Sequence, residues 1–435
     1  QGSSISDIFG PGEPLYLTPL IEKNQLDKAR ALSRVGTLGL VRDVPSYSGF
    51  LTVNPSLGSN IFFWFFPAMD RTRYTGHLYW VNLGTCRIIP FCVGISSHRE
   101  YKLSISSQKR SLKRKDTAIE HEKIGYKNSG ALRNPRPLYK NLLYFCFIFY
   151  KQLGFFFCFP PQNTRNEGWF ALRHSCKYVP TIGHAIDTAV QPRVKINLKG
   201  IAIGNADIDP LTMMGYADYI YEIGLVDRNQ AAVLRERTDA AINLIKQGRY
   251  LEANDVVAPI FDGSPSIYNN LTGFTNYFNY LLTKEPEDQR YYISFIQTTR
   301  VRKAIHVGSL PFYDFNPTVY DNFNGDKMVS AKPWFTSLLE KYKVLLYSGQ
   351  LDIILAYPYT ESFLASVNWT GASALAAVSR QIWRTPGGTD IYGYVRQVAN
   401  FTEVLVRNGG HILPYDQPEA AYDMITRFID GKPFV

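Results

Sequence analysis

The chain has 435 residues, 45% of them hydrophobic and only 19% charged, which gives it the length and apolar content for one large buried core and excludes a disordered chain. Its net charge of +10 is not spread over a surface: residues 70–176 hold 18 Lys/Arg against 6 Asp/Glu, whereas the rest holds 29 basic and 31 acidic residues. A near-neutral body with one basic segment argues against a general nucleic-acid-binding role.

In chain order, residues 13–69 read as an extended approach followed by strands, at Ser46–Val53 and Ile61–Phe66, both β-rich and bounded by Gly, Asn or Pro. The aromatic row Phe62–Phe66 is expected to be sheet core rather than a ligand cage. Residues 70–176 depart from this pattern. They contain the basic run Gln108–Lys115, expected to be a solvated loop, and the apolar run Leu142–Phe159, broken by Lys151 and Gln152. That interruption leaves the run too short to predict a membrane span. All five cysteines (Cys86, Cys92, Cys146, Cys158, Cys176) lie here. Their odd number and the lack of C-x-x-C or Cys/His spacing support neither a zinc site nor a disulfide framework.

Beyond this segment, residues 177–199 predict a helix running from Pro180 through His184, Ile186 and Ala189, then a strand Gly200–Ile203 closed by Gly204-Asn205. Residues 211–310 are mostly helical, as at Gln230–Lys246, and are read as a cap inserted between strands, spanning 205–330. His306, in an apolar helix-like segment, is expected to be a packed histidine, as is His184. Two short apolar runs follow. Val344–Tyr347 leads through Ser348–Leu351 into Asp352, and Val404–Val406 leads through Arg407–Gly410 into His411. Apolar runs closed by Gly predict buried parallel strands. The chain ends on an amphipathic helix, Pro418–Phe428, stopped by Gly431. There is no internal repeat.

Chemistry in open α/β sheets sits just past the carboxyl ends of such strands. An Asp before a distant His, each after a strand, is the order of a hydrolase triad whose nucleophile lies upstream. In such a triad the carboxylate holds the imidazole tautomer and the imidazole takes the nucleophile's proton. Asp352 and His411 are therefore the candidate catalytic pair.

The segments around them resemble one family. Asn408–Pro418 is similar to the histidine motif of the serine carboxypeptidases, G-H-x-x-P-x-D-x-P, and Gly349–Asp352 to their aspartate motif. Leu198–Asn205 resembles their central strand. Pro14–Pro19, Tyr47–Val53 and Glu285–Gln289 resemble the vitellogenic-like branch in particular. The likeness covers roughly residues 13–69 and 177–435. It implies one α/β-hydrolase domain over 1–435, a mostly parallel, doubly wound sheet with an inserted helical cap and an anomalous segment at about 70–176. It also implies removal of C-terminal residues from peptides or proteins at acidic pH, without metal or other cofactor, nucleic acid or membrane. Nothing in the sequence sets an oligomeric state.

The resemblance fails at the nucleophile. The family carries G-E-S-Y-A-G before K-Y-V-P; here Lys177–Pro180 is intact but residues 171–176 read Ala-Leu-Arg-His-Ser-Cys, with Arg173 in the serine's place. Arginine is no nucleophile, and Ser175, two places late, is not expected to reach His411; Cys176 is a weaker substitute still. Trp80-Val81-Asn82 matches the family's W-x-N, whose Asn holds the substrate's C-terminal carboxylate, but Leu83-Gly84-Thr85-Cys86-Arg87-Ile88-Ile89 follows instead of the family's glycine loop. Those glycines aim backbone N–H groups at the developing oxyanion, an effect of about 3–4 kcal/mol per donor. The segment 83–176 is thus expected to be aberrant and poorly ordered. One of the codon sets that encode Thr85–Phe91, read one base out of frame, spells Pro-Ala-Gly-Ser-Ser-Leu-Phe, and Phe155–Gln162 back-translates to a pyrimidine tract such as ends an intron. A frame slip with a retained intron accounts for these features together. A diverged inactive homologue, or an enzyme active by another route, are the alternatives.

Sequons at Asn270, Asn368 and Asn400, in a body without cysteine, point to a glycosylated protein of the secretory pathway, secreted or lysosomal. The chain begins at Gln1, as expected of one whose signal peptide has been removed. The second functional reading is a non-catalytic secreted glycoprotein that binds peptides in the remaining cleft.

Overall fold

The computed structural model describes residues 10–38, 45–56, 58–65, 76–82, 91–93, 167–173, 177–190 and 196–435. Most of 83–176, with Ser175, Cys176 and the apolar run Leu142–Phe159, lies outside the described residues.

The strands are β1 (Tyr47–Asn54), β2 (Ser59–Phe65), β3 (Gly76–Asn82), β4 (Phe91–Val93), β5 (Glu167–Arg173), β6 (Asn197–Gly204), β7 (Lys343–Gly349), β8 (Gln381–Arg384), β9 (Ile391–Val398) and β10 (Phe401–Val406). β1 and β2 pair as a separate antiparallel hairpin. The other eight form one sheet in the order β4-β3-β5-β6-β7-β10-β9-β8. The five inner neighbours β3, β5, β6, β7 and β10 are parallel, and the strands flanking them, β4 on one side and β9 and β8 on the other, pair antiparallel.

Why β6, β7 and β10 lie in the middle follows from their side chains. Alternate residues leave opposite faces of a strand, and here both faces are covered. Ile201, Ile203, Val344, Leu346 and Phe401 enter one core with Val179, Phe335, Leu338 and Phe363. Ala202, Leu345, Tyr347, Val404 and Val406 enter a second core with Met424, Ile425 and Phe428 of the C-terminal helix. Fully burying one such aliphatic side chain contributes about 1.5–3 kcal/mol relative to exposure, which is why these strands carry unbroken apolar runs. The C-terminal helix, Pro418–Asp430, ends at Gly431 with φ 66°, a left-handed cap that favours glycine.

The helices between β6 and β7 follow their caps. Arg228–Lys246 starts on a reciprocal capping box between Asp227 and Gln230, and packs with its neighbours around Leu234, Ala241, Ala253 and Tyr268. The later part of this insertion does something else. Tyr292, Ile296, Val301, Ile305 and Val307 pack on Phe50, Phe62 and Trp64 of the hairpin. The described part of the aromatic row is therefore core on both faces, with Phe62 and Trp64 toward this cluster, Phe63 toward the sheet core and Phe65 packed partly buried against it; Phe66 lies outside the described residues.

Two expectations need correction. The N-terminal approach is not simply extended: Thr18–Glu22 and Leu26–Leu32 are short helices, the first with Pro19 in its opening turn, where proline has no hydrogen bond to lose. The helix expected over 177–199 spans only Tyr178–Thr188 and β6 begins earlier, at Asn197. The two antiparallel strands β8 and β9 carried no signal that the sequence reading used.

Candidate active site

β7 and β10 run side by side, with Gly349 opposite Val406 at their carboxyl ends. The turns that follow bring Asp352 and His411, 59 residues apart, to 2.7 Å between Oδ2 and Nδ1. Both are buried, at 0% and 2% exposure. A carboxylate can only accept, so Nδ1 is the protonated nitrogen and any proton taken from a nucleophile falls to Nε2.

The approach of the two turns depends on glycine. A Cβ on Gly349 would stand 2.2 Å from the Gly410 carbonyl oxygen and 2.5 Å from that of Gly409, while one on Gly410 would stand 2.2 Å from the Phe278 carbonyl. These neighbours are backbone and cannot yield. The turns are also tied directly, Leu351 N–H donating to the Gly409 carbonyl at 2.7 Å.

A third residue completes the buried network, and the sequence reading gave it no role. Asn205, at the end of β6 with φ 47°, donates from Nδ2 to Asp352 Oδ2 at 2.6 Å and accepts at Oδ1 from the Gly349 N–H at 3.2 Å. Asp352 Oδ1 accepts from the Leu355 N–H at 3.2 Å. With both oxygens bonded, the carboxylate cannot rotate away from His411. The usable signal was an asparagine just past a strand-closing glycine, a residue type that tolerates left-handed backbone. Nearby, Tyr216 and Tyr359 are held above the usual phenol range by burial first, with Asp352 among the carboxylates that add to it. Both stay neutral.

On the other side of β6 the picture changes. β5 lies between β3 and β6, Asn82 is in register with Arg173, and Leu172 with Ile203. Arg173 is the last residue of β5, and the helix Tyr178–Thr188 starts soon after. Asn82 and Arg173 thus end adjacent parallel strands at the same sheet edge as Asp352 and His411.

Other residues noted in the sequence lie elsewhere. His306 has φ 60° and its Nδ1 lies 3.1 Å from Ser48 Oγ, which donates to the Ile305 carbonyl. His184 stacks on Trp334 at 6.1 Å. Asp416, by contrast, lies against the histidine turn itself and accepts from the Gly410 N–H at 2.7 Å. The sequon residues Asn270, Asn368 and Asn400 are exposed. Among the described residues, no group of three or more His, Cys, Asp or Glu is arranged to hold a metal ion, and no helix is long and apolar enough to cross a membrane.

A sheet of this order, with an acid and a histidine on the turns after two central parallel strands, defines an α/β-hydrolase. The sequence model of the serine carboxypeptidases (Peptidase S10) matches residues 150–431. The venom serine carboxypeptidase of Apis mellifera is 37% identical over 97% of this chain and 92% of its own length. The probable serine carboxypeptidase CPVL of Homo sapiens is 37% identical over 97% of this chain and 90% of its own. The vitellogenic carboxypeptidase of Aedes aegypti is 35% identical over 96% and 90%. The chain belongs to the serine carboxypeptidase family.

Proposed function

We propose that the site receives peptide or protein C-termini, as in a serine-type carboxypeptidase working at acidic pH, and that the chain with this sequence does not turn them over. The acid–base half is complete: Asp352 and His411 act as orienting carboxylate and general base. What carries the second part of the proposal is that Arg173 ends β5 where the strand-to-helix turn would present a serine. A guanidinium cannot form an acyl-enzyme. Asn82, in register beside it, is the residue proposed to meet the substrate's C-terminal carboxylate. Peptidase chemistry of this kind needs no cofactor.

The exposed sequons at Asn270, Asn368 and Asn400 support a glycosylated protein, and the venom and vitellogenic relatives support passage through the secretory pathway, to the outside or to the lysosome. The test is hydrolysis of a blocked dipeptide at pH 4–7. The expected result is no rate above that of His411→Ala, whereas turnover with fluorophosphonate labelling at Ser175 would refute the proposal. Sequencing the transcript decides the origin of 83–176: a message encoding G-E-S-Y-A-G in place of that segment would make the natural protein an active peptidase. The second reading, a non-catalytic peptide-binding glycoprotein, draws support from the same exposed sequons and from Arg173 at the end of β5. Saturable peptide binding without cleavage, by a message that encodes residues 83–176 as they stand here, would favour it.

A further inference from the structure

One stretch of the insertion between β6 and β7, Asn276–Tyr280, lies against both catalytic turns. On the aspartate side, the Tyr277 carbonyl accepts from the Ile353 and Ile354 N–H groups, each at 3.3 Å, and Tyr280 N–H donates to the Leu351 carbonyl at 3.0 Å. On the histidine side, His411 N–H donates to the Phe278 carbonyl at 2.6 Å. The Phe278 ring stacks on the imidazole, with centroids 5.2 Å apart and planes 17° from parallel.

A carboxylate then locks the segment to the turn. Asp416 Oδ2 accepts from the Gly410 N–H at 2.7 Å and from Asn279 Nδ2 at 3.1 Å, so one oxygen joins the residue before His411 to the insertion. The segment is itself braced, Phe278 N–H donating to Asn276 Oδ1 and Leu281 N–H to Asn279 Oδ1, both at 3.0 Å. Asn276 and Asn279 are buried, where unmet polar groups are costly. Further along, the sequence motif Glu285–Gln289 finds a place in the same scheme: Tyr415 Oη donates to Asp288 Oδ1 at 2.6 Å.

We propose that Asn276–Tyr280 is the template that sets the Asp352–His411 geometry, with Phe278, Asn279 and Asp416 as positioning residues. The turns after β7 and β10 are tied to each other on their inner side, by Gln350 N–H to the Val406 carbonyl and Leu351 N–H to the Gly409 carbonyl. The segment bonds to both turns as well, so it holds their relative placement as a second, independent element. The insertion is therefore part of the catalytic scaffold on this side. This inference rests on reading Asp352 and His411 as the catalytic pair, but its test needs no turnover.

The readout is the nitrogen-15 and proton spectrum of the histidine-labelled full chain, in which the Nδ1 proton shared by His411 and Asp352 gives a downfield signal. Hydrogen exchange at the Gly410 and His411 amides is measured alongside. Asn279→Ala and Asp416→Asn are expected to broaden or shift that signal and to raise exchange about tenfold, the equivalent of one hydrogen bond. Phe278→Leu, which keeps the backbone bond and loses the stacking, should move the signal while leaving exchange nearly unchanged. Asn279→Asp keeps the acceptor for the Leu281 N–H but sets a second carboxylate against Asp416, and should disturb the signal and exchange at least as much as Asn279→Ala. Native signal and exchange in Asn279→Ala and Asp416→Asn would overturn the proposal. Should either fail to fold, Phe278→Leu and Asn279→Asp decide it, an unmoved signal in both overturning the proposal. Failure of the peptidase reading would instead appear as absent hydrolysis after both the nucleophile turn and the glycine loop after Asn82 are rebuilt, with these spectra unaffected.

Discussion

The two sides of β6 differ in what the chain retains. Toward β7 and β10, each functional side chain is fixed by at least one buried partner: Asp352 by Asn205 and the Leu355 N–H, and His411 by Asp352 and Phe278. Toward β5 and β3, the strands keep their parallel register, yet the residue ending β5 is Arg173. Strand pairing depends on backbone hydrogen bonds and tolerates almost any sequence of β-forming side chains. Acyl transfer depends on particular atoms at particular positions. The pairing of β3, β5 and β6 therefore does not depend on which residue ends β5, whereas the chemistry proposed for the site does.

The strongest way to break this comparison is to rebuild the weaker side. Replacing residues 171–176 by Gly-Glu-Ser-Tyr-Ala-Gly alone is expected to restore little hydrolysis. Adding the glycine loop after Asn82, with an ordinary family sequence between the two, should raise the rate by orders of magnitude, since each missing oxyanion donor alone costs about 10²–10³-fold. If the first replacement alone gave full turnover of a blocked dipeptide, the two sides would differ by the nucleophile only.

Removing the carboxylate attacks the stronger side. Asp352→Ala would strand donors on Asn205, His411 and Leu355 in a buried space, a loss of about 4 kcal/mol by analogy with broken buried pairs. Urea unfolding measures it, and a loss below about 1 kcal/mol would mean that water reaches these groups. Gly349→Ala tests the close approach of the two turns without touching a polar group. With its Cβ 2.2 Å from a carbonyl oxygen, the variant is expected to lose about 3 kcal/mol, at the upper end of overpacking effects, and to move the histidine turn away from Asp352.

The smallest effect is a pH dependence at His306, away from both sides of the site. Burial lowers the pKa of His306 from 6.5, opposed by its contact with Ser48. The unfolded chain then binds more protons there below about pH 6.5, so stability is full above that pH and falls as acidification passes through the lowered folded value. His306→Asn keeps a residue that tolerates φ 60° and removes the titration. Its Tm should fall less than the parent's between pH 7 and 5, by on the order of one or two degrees. Equal slopes in the two proteins would show that His306 does not titrate in that range.

Much of the stronger side was legible before any coordinates. Val344–Tyr347 and Val404–Val406 are apolar at every position, which only a strand covered on both faces requires, and each is followed by a glycine turn and a titratable residue. The N-terminal helices were missed because Thr18–Glu22 is a five-residue element that buries nothing and so leaves no periodicity. β8 and β9 were missed because an antiparallel pair at the sheet edge is half-exposed, with Ile382 at 43%, and its mixed pattern resembles a loop.

The sequence by itself determined the family, the order of Asp352 before His411, and the arginine at position 173, because each is a matter of residue identity along the chain. Only the tertiary structure decided how the surviving pair is held. Asn205, Phe278, Asn279 and Asp416 come from three separate stretches, and no periodicity or motif spacing records a hydrogen bond between residues more than a hundred positions apart. Their roles arise from the buried space between β6, β7, β10 and the insertion, where every polar atom must find a partner.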